Sequence, residues 1–553
     1  MNKNNFLAIF LIFFLYSCSG KITPNDPLPD DRILHFTALE DSSSFGIQYL
    51  QYTEWKDPET GKKKSETVPI EDGSYSVNIE YTLDFKEWTL LKSGEMIPLG
   101  KGRTVYLRGL NPDKFSYFFT DDTREGYNFT NFRMTGRISA AGSVMSLVDQ
   151  TGEALAVPLP PDSDGYFYSL FKDNDALVKA PDLTATTLSA WCYCHMFENC
   201  TGLEEASEFS AEVAAEGSCY AMFQSCTALK RAPEIRVNSA ADYCFSTMFE
   251  GCTSMVEGPS EIPAQTLPNY SCFAMLAGCE SLVKGPAIGA VKYEPFSCYA
   301  MFDGCKALKE MPDLQVETIG QQGCYVMFCG CESLAKAPEM PLRQCGYGCC
   351  AFMYDKCKSL KTPPALDAED LGTACYQGMF QNCPSLEYAP DLPATKLESY
   401  CYTNMFYNCH SITECIELPA MEMAKNCYAQ MFGNCTGLKT MTSLPATKLA
   451  EGCYLSMFGK CTNLEWEPYL PAEELEHNCY ANMFRECPKI GKVTALFKTD
   501  ITRMDGDSHY YTLFWLKDVS PTGTFVRHPD ATWELTGPDG IPDGWTIEVA
   551  ALP

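Results

Sequence analysis

Cys383-Pro384-Ser385-Leu386-Glu387-Tyr388-Ala389-Pro390-Asp391-Leu392-Pro393-Ala394-Thr395-Lys396-Leu397-Glu398-Ser399-Tyr400-Cys401-Tyr402-Thr403-Asn404-Met405-Phe406-Tyr407-Asn408-Cys409 is one full copy of a unit that fills the middle of this chain. A cysteine, usually an aromatic, Met-Phe and a second cysteine recur twelve times between Cys192 and Cys487, with Leu276 and Tyr354 replacing the phenylalanine in two copies. The second cysteines fall at 200, 226, 252, 279, 305, 331, 357, 383, 409, 435, 461 and 487, so every step is 26 residues except one of 27. A fixed period of this length means a solenoid, in which each unit buries its apolar side only against its neighbours.

Within the copy, Leu386, Ala389, Leu392 and Leu397 are spaced as inward positions, and Cys401, Met405 and Cys409 follow at intervals of four. That interval returns side chains to one helical face, so Cys401 to Phe406 is expected to form a short helix. Leu386 to Ala389 is expected to be the strand of the rung. At ~4.8 Å per strand, about thirteen rungs make an inner sheet of about 60 Å. The thirteenth is atypical: Leu170-Phe171 lies 26 residues before Met196-Phe197, and Asn174 takes the cysteine slot.

The flanks read differently. Lys3, the apolar run Phe6 to Leu15 and Leu15-Tyr16-Ser17-Cys18 have the layout of a signal peptide ending at a lipobox, with Cys18 as the lipidation site. The run is too short to cross a bilayer as a helix. Residues 19–31 read as a tether and 32–150 as a β-sandwich-like domain of aromatic and β-branched strands. The solenoid is placed at 151–495 and a β-rich C-terminal cap at 496–553. The expected fold class is therefore α+β.

The phrase Cys-x-x-Leu-x-x-Ala-Pro-x-Leu-Pro-Ala, followed by Cys-Tyr-x-x-Met-Phe-x-x-Cys, resembles the BspA-type leucine-rich repeats of bacterial surface lipoproteins over roughly 165–495. Ile79 to Asp84 with Trp88, and Gly540 to Trp545, also resemble parts that accompany such repeats. The resemblance implies adhesion or interaction at the cell surface, on a lipid anchor in the outer membrane, with an extracellular protein or glycan as partner. The alternative is a glycan-binding accessory lipoprotein of a polysaccharide-uptake system.

Composition narrows the partners. With 42 basic and 71 acidic residues the net charge is −29, which repels nucleic acid. Thirty cysteines suggest disulfides, but their register favours columns of buried thiols, with Cys194 and Cys329 on varied columns and expected to be exposed. The seven cysteines from 324 to 357 contain no Cys-x-x-Cys pair, so no metal is expected. Asp505-Gly506-Asp507-Ser508-His509 reads as an acidic turn. No histidine sits in a hydrolase or metalloprotease motif, so neither catalysis nor a cofactor is expected. The side chain five after the second cysteine is expected to point outward. Aromatics enter that column at Tyr388 and Trp466, with Tyr469 three residues on; they read either as candidate ligand-binding residues, with the patch around Trp466 and Tyr469, or, for Trp466, as a ring folded down onto the C-terminal cap.

Overall fold

A computed structural model describes residues 32–551 apart from 59, 122, 158–163, 208 and 503–509. Cys18 and the acidic turn at 505–509 lie outside the described residues. The chain winds into a β-solenoid of about 14 turns. No described helix is long and apolar enough to cross a membrane.

The expected helices are not there. Among the described residues the one α-helix is the four-residue Ser146–Asp149, and the fold is nearly all sheet and turn rather than α+β. In place of each predicted helix runs a ribbon of consecutive turns. Cys194 N–H bonds the Trp191 carbonyl, Met196 that of Tyr193, Glu198 that of His195 and Cys200 that of Phe197, each closing a four-residue turn. The intervening residues donate to the next rung instead: His195 N–H to Tyr220, Phe197 to Met222 and Asn199 to Gln224. Every fourth residue is left-handed, as at Trp191, His195 and Asn199, then Tyr400, Asn404 and Asn408. A ribbon with this four-residue repeat puts Cys401, Met405 and Cys409 on one side as a helix nearly does, and it also bonds sideways to both neighbours.

Left-handed backbone favours Gly and Asn, and the sequence carries that signature. The residue before the second cysteine is Gly251, Gly278, Gly304 and Gly330 in four rungs and Asn199, Asn382, Asn408 and Asn434 in four others. The asparagines also bond one another, Asn434 Nδ2 to Asn408 Oδ1 and Asn408 Nδ2 to Asn382 Oδ1, both at 2.7 Å.

The second cysteines have a shared task. All twelve donate their thiol to the main-chain carbonyl of the phenylalanine slot on the preceding rung, at 3.0–3.2 Å. Asn174 does the same work in its atypical rung, giving Nδ2 to the carbonyls of Phe132 and Phe171 while its Oδ1 accepts from Met134 N–H. Cysteine is therefore a small apolar filler with a weak donor in a defined direction.

Side chains stack as the backbone does. Phe380, Phe406, Phe432, Phe458 and Phe484 form a column with centroids 5.2–6.0 Å apart. Tyr376, Tyr402, Tyr428, Tyr454 and Tyr480 form a second, at 5.7–6.0 Å. The expected broad inner sheet is reduced to short ladders. On the Leu386-to-Ala389 side the rungs meet through single bridges such as Arg231 to Glu257 and Lys336 to Thr362. Ala-Pro follows directly, and proline has no N–H to extend the ladder. Two-residue parallel strands form on another side, through Thr266–Leu267, Lys292–Tyr293, Thr318–Ile319 and Gln344–Cys345.

Before the solenoid lie two sheets. One orders the strands Leu177–Lys179, Ile138–Ala141, His35–Ala38, Thr104–Gly109, Ile79–Thr82 and Thr89–Leu90. The other orders Lys63–Pro69, Ser43–Lys56, Arg124–Thr135 and Tyr117–Thr120, with Met96–Leu99 also pairing Ser43–Lys56. Pairing is antiparallel except where Ile138–Ala141 meets Leu177–Lys179 of the first rung in parallel, so the solenoid grows from this sheet. Phe132 joins the ring column below Phe171 at 5.1 Å.

The winding continues past Cys487. Phe484 N–H bonds the Trp515 carbonyl as Phe458 N–H bonds that of Met483, so Trp515-Leu516 occupies the Met-Phe position after a longer loop. The strands Tyr469–Leu470, Lys492–Ala495, Gly523–Arg527 and Trp545–Val549 pair in parallel. Trp515, Trp533 and Trp545 close the end, each donating its indole N–H to a main-chain carbonyl: Gly540, Phe497 and Ser520 respectively.

Candidate functional site

The outward column five residues after the second cysteine carries Glu205, Arg231, Glu257, Lys284, Glu310 and Lys336, all exposed, with Arg231 and Glu257 paired at 2.7 Å. Such exposed pairs contribute little individually. Tyr388 and Tyr469 are about half exposed, at 50% and 53%. Trp466 is not in the outward set. Its ring turns inward, 5.8 Å from Phe458 and 6.0 Å from Phe484.

The reason is a one-residue change in alternation. The inward slot held by Ala389 in one rung is held by Glu467 in this one, and a carboxylate does not enter an apolar core. Glu465 and Glu467 both stay exposed, with Glu467 paired to Lys492 at 2.7 Å, and the indole takes the interior between them. Tyr388 lies three rungs from Trp466, about 14 Å at the usual strand spacing. The three aromatics are therefore not one patch. Tyr388 and Tyr469 remain separate surface rings.

The turn ribbon has a concave break that the sequence reading missed. Two residues before the second cysteine, most rungs carry a side chain, but Gly433 and Gly459 on consecutive rungs do not, and Tyr407 and Arg485 bound the gap. The Tyr407 ring lies over Gly433, where an added Cβ would meet it at 2.8 Å. The resulting notch of about 280 Å3 is lined by Gln430, Asn434, Ser456, Lys460 and Asn482 as well. Its signal in the sequence was the pair of glycines in register. Amides, hydroxyls, one aromatic and two cations can take hydrogen bonds from, and give them to, a polar chain lying along the ribbon.

All 29 described cysteines are free thiols. Burial pushes Cys226, Cys331 and Cys461 well above the ordinary thiol value. Cys194, expected to be exposed, is 3% exposed and packs with Phe129 and Tyr168 from the neighbouring sheet and rung. Cys329 is half-buried, and burial with the carboxylates of Asp303 and Asp355 moves it up to about 12. Cys345 behaves oppositely: hydrogen bonds from Cys349, Cys375 and Tyr376 pull this half-buried thiol below its ordinary value. Limited alkylation of native protein with mass-spectrometric mapping is expected to modify the half-buried Cys329, Cys345 and Cys415 before the buried thiols, with Cys194 among the last. Fast labelling of Cys194 would contradict its packing. No group of three or more His, Cys, Asp or Glu among the described residues is arranged to hold a metal ion.

No family model matches the chain, and no curated protein matches it. Two solved structures match the chain. One is a leucine-rich repeat protein from Bacteroides ovatus, 17% identical, with a TM-score of 0.37, covering 69% of this chain and 93% of that one. The other is a TLR13–ssRNA13 complex, 14% identical, with a TM-score of 0.20, covering 70% of this chain and 52% of that one.

Proposed function

We propose that this chain is a non-catalytic binding scaffold, a lipoprotein of the BspA type held at the bacterial outer membrane through Cys18 and facing outward to a protein or glycan. The observation that supports the reading best is the solenoid surface itself. Rungs bonded sideways through every second ribbon N–H present columns of fixed spacing, broken by a concave notch at Gly433 and Gly459. Extended repeat surfaces of this kind are used for recognition.

Protease shaving of intact cells tests the placement. Release of solenoid peptides without lysis is the expected result, and recovery only after lysis would contradict outward display. Metabolic labelling with a clickable fatty acid tests the anchor: the label is expected on the native chain and absent from Cys18→Ser.

A further inference from the structure

Where the N-terminal sheets meet the first two rungs there is a cavity of about 230 Å3, distinct from the notch and from the outward column. Leu50 and Tyr52 on one strand and Phe129, Asn131 and Arg133 on its neighbour form one wall. Tyr168, Ser169, Lys172 and Asp173 of the first ribbon form the other, with His195 above them.

One polar group in each of these walls is buried without a partner. Asn131 is 2% exposed; its Nδ2 hydrogens go to the carbonyls of Ser169 and Lys172 at 2.9 and 3.0 Å, and its Oδ1 has no donor. Ser169 is 1% exposed and its Oγ has no partner. A buried group left bare costs about 1–3 kcal/mol, and buried polar atoms are nearly always satisfied. Because the Asn131 amide hydrogens are already committed, whatever satisfies its Oδ1 must donate.

The cavity is bordered by charges of both signs. Lys172 and His195 both reach Oε2 of Glu198, at 2.7 and 2.5 Å. Burial works against that carboxylate, but the two partners outweigh it and hold it down to about 2. Arg133 and Asp173 add one charge of each sign at the cavity wall. In the cavity itself an anion meets Asp173, and a cation meets Arg133 and Lys172. A ligand whose groups both donate and accept, and which carries an apolar face for Leu50, Phe129 and Tyr168, suits every wall. Vicinal hydroxyls on a six-membered ring have that character.

We infer that this junction cavity is a binding site for one neutral hexose unit, with hydroxyls reaching the Asn131 Oδ1 and the Ser169 Oγ.

Calorimetric titration of the whole protein with D-glucose, D-galactose and D-mannose, their methyl glycosides and D-glucuronate tests this. At least one neutral hexose is expected to saturate with a Kd on the order of 10 mM or tighter. Ser169→Gly removes the hydroxyl and suits the left-handed backbone there (φ 53°), and Arg133→Gln changes an exposed side chain. Each variant is expected to keep its Tm and weaken that hexose at least fivefold. A methyl glycoside that binds as well as the free sugar assigns the site to a glycan chain end. Loss of binding on methylation assigns it to a free sugar, and both outcomes keep the inference. It is overturned if no neutral hexose binds at roughly 50 mM, if glucuronate binds more tightly than every hexose, or if neither folded variant changes the affinity.

Discussion

Phe380→Ala is expected to lower the unfolding free energy by about 3–5 kcal/mol, the range for deleting a buried aromatic from a packed interior. Phe380 is fully buried and stacks on Tyr354 at 5.5 Å and on Phe406 at 5.7 Å, so its removal damages two interfaces between rungs. In a nearly one-dimensional fold such damage uncouples the halves on either side. Urea unfolding is therefore expected to split into two transitions. Phe380→Leu is the control, because Leu276 already fills the same slot without a ring partner. It is expected to cost about 1 kcal/mol. A leucine variant as damaged as the alanine variant would mean that ring stacking, rather than filled volume, holds the column.

The C-terminal end is the second sensitive place. Trp515 is fully buried, stacks on Tyr480 at 6.1 Å, lies 6.0 Å from both Phe497 and Phe525, and gives its indole N–H to Gly540 at 2.8 Å. Trp515→Ala is expected to cost about 3–5 kcal/mol. The exposed end of an uncapped solenoid can also pair with other copies, so light scattering should rise during thermal unfolding. Trp515→Phe keeps most of the ring and loses the hydrogen bond, for about 1–2 kcal/mol. An alanine variant with native Tm and no scattering would show that the last coil does not close the stack.

How much of this was open to reading from the sequence varies with the physics involved. The 26-residue beat fixed the solenoid, the inward columns and the buried thiols, because burial is periodic and the period is visible in Cys, Met, Phe and Leu. The helix at Cys401 to Phe406 was misjudged because a turn ribbon and a helix both bring back every fourth side chain. The distinguishing sign was the frequency of Gly or Asn at the left-handed slot four residues on from the last, as at Gly304 and Asn408. The column register alone points Trp466 outward, with folding onto the C-terminal cap as the other reading, and Glu467 in the alanine slot already signals the inward ring. The coil at Trp515-Leu516 was hidden by the longer loop before it. The junction cavity was beyond reach, since Asn131 and Ser169 meet only through tertiary packing.

The central structural claim is that the four-residue beat encodes a ribbon with a left-handed residue at every fourth position. Lys460 is exposed and left-handed (φ 66°), in the slot held by glycine in four other rungs. In such a ribbon a side chain at that residue costs about 1–2 kcal/mol, and glycine gives back part of that to its own chain entropy. Lys460→Gly should therefore raise the stability by about 0.5–1 kcal/mol, whereas in a helix the same change lowers it by about 1 kcal/mol. Equilibrium urea unfolding of Lys460→Gly beside the native protein measures the sign: a higher midpoint is the predicted result, and a lower one would contradict the turn ribbon.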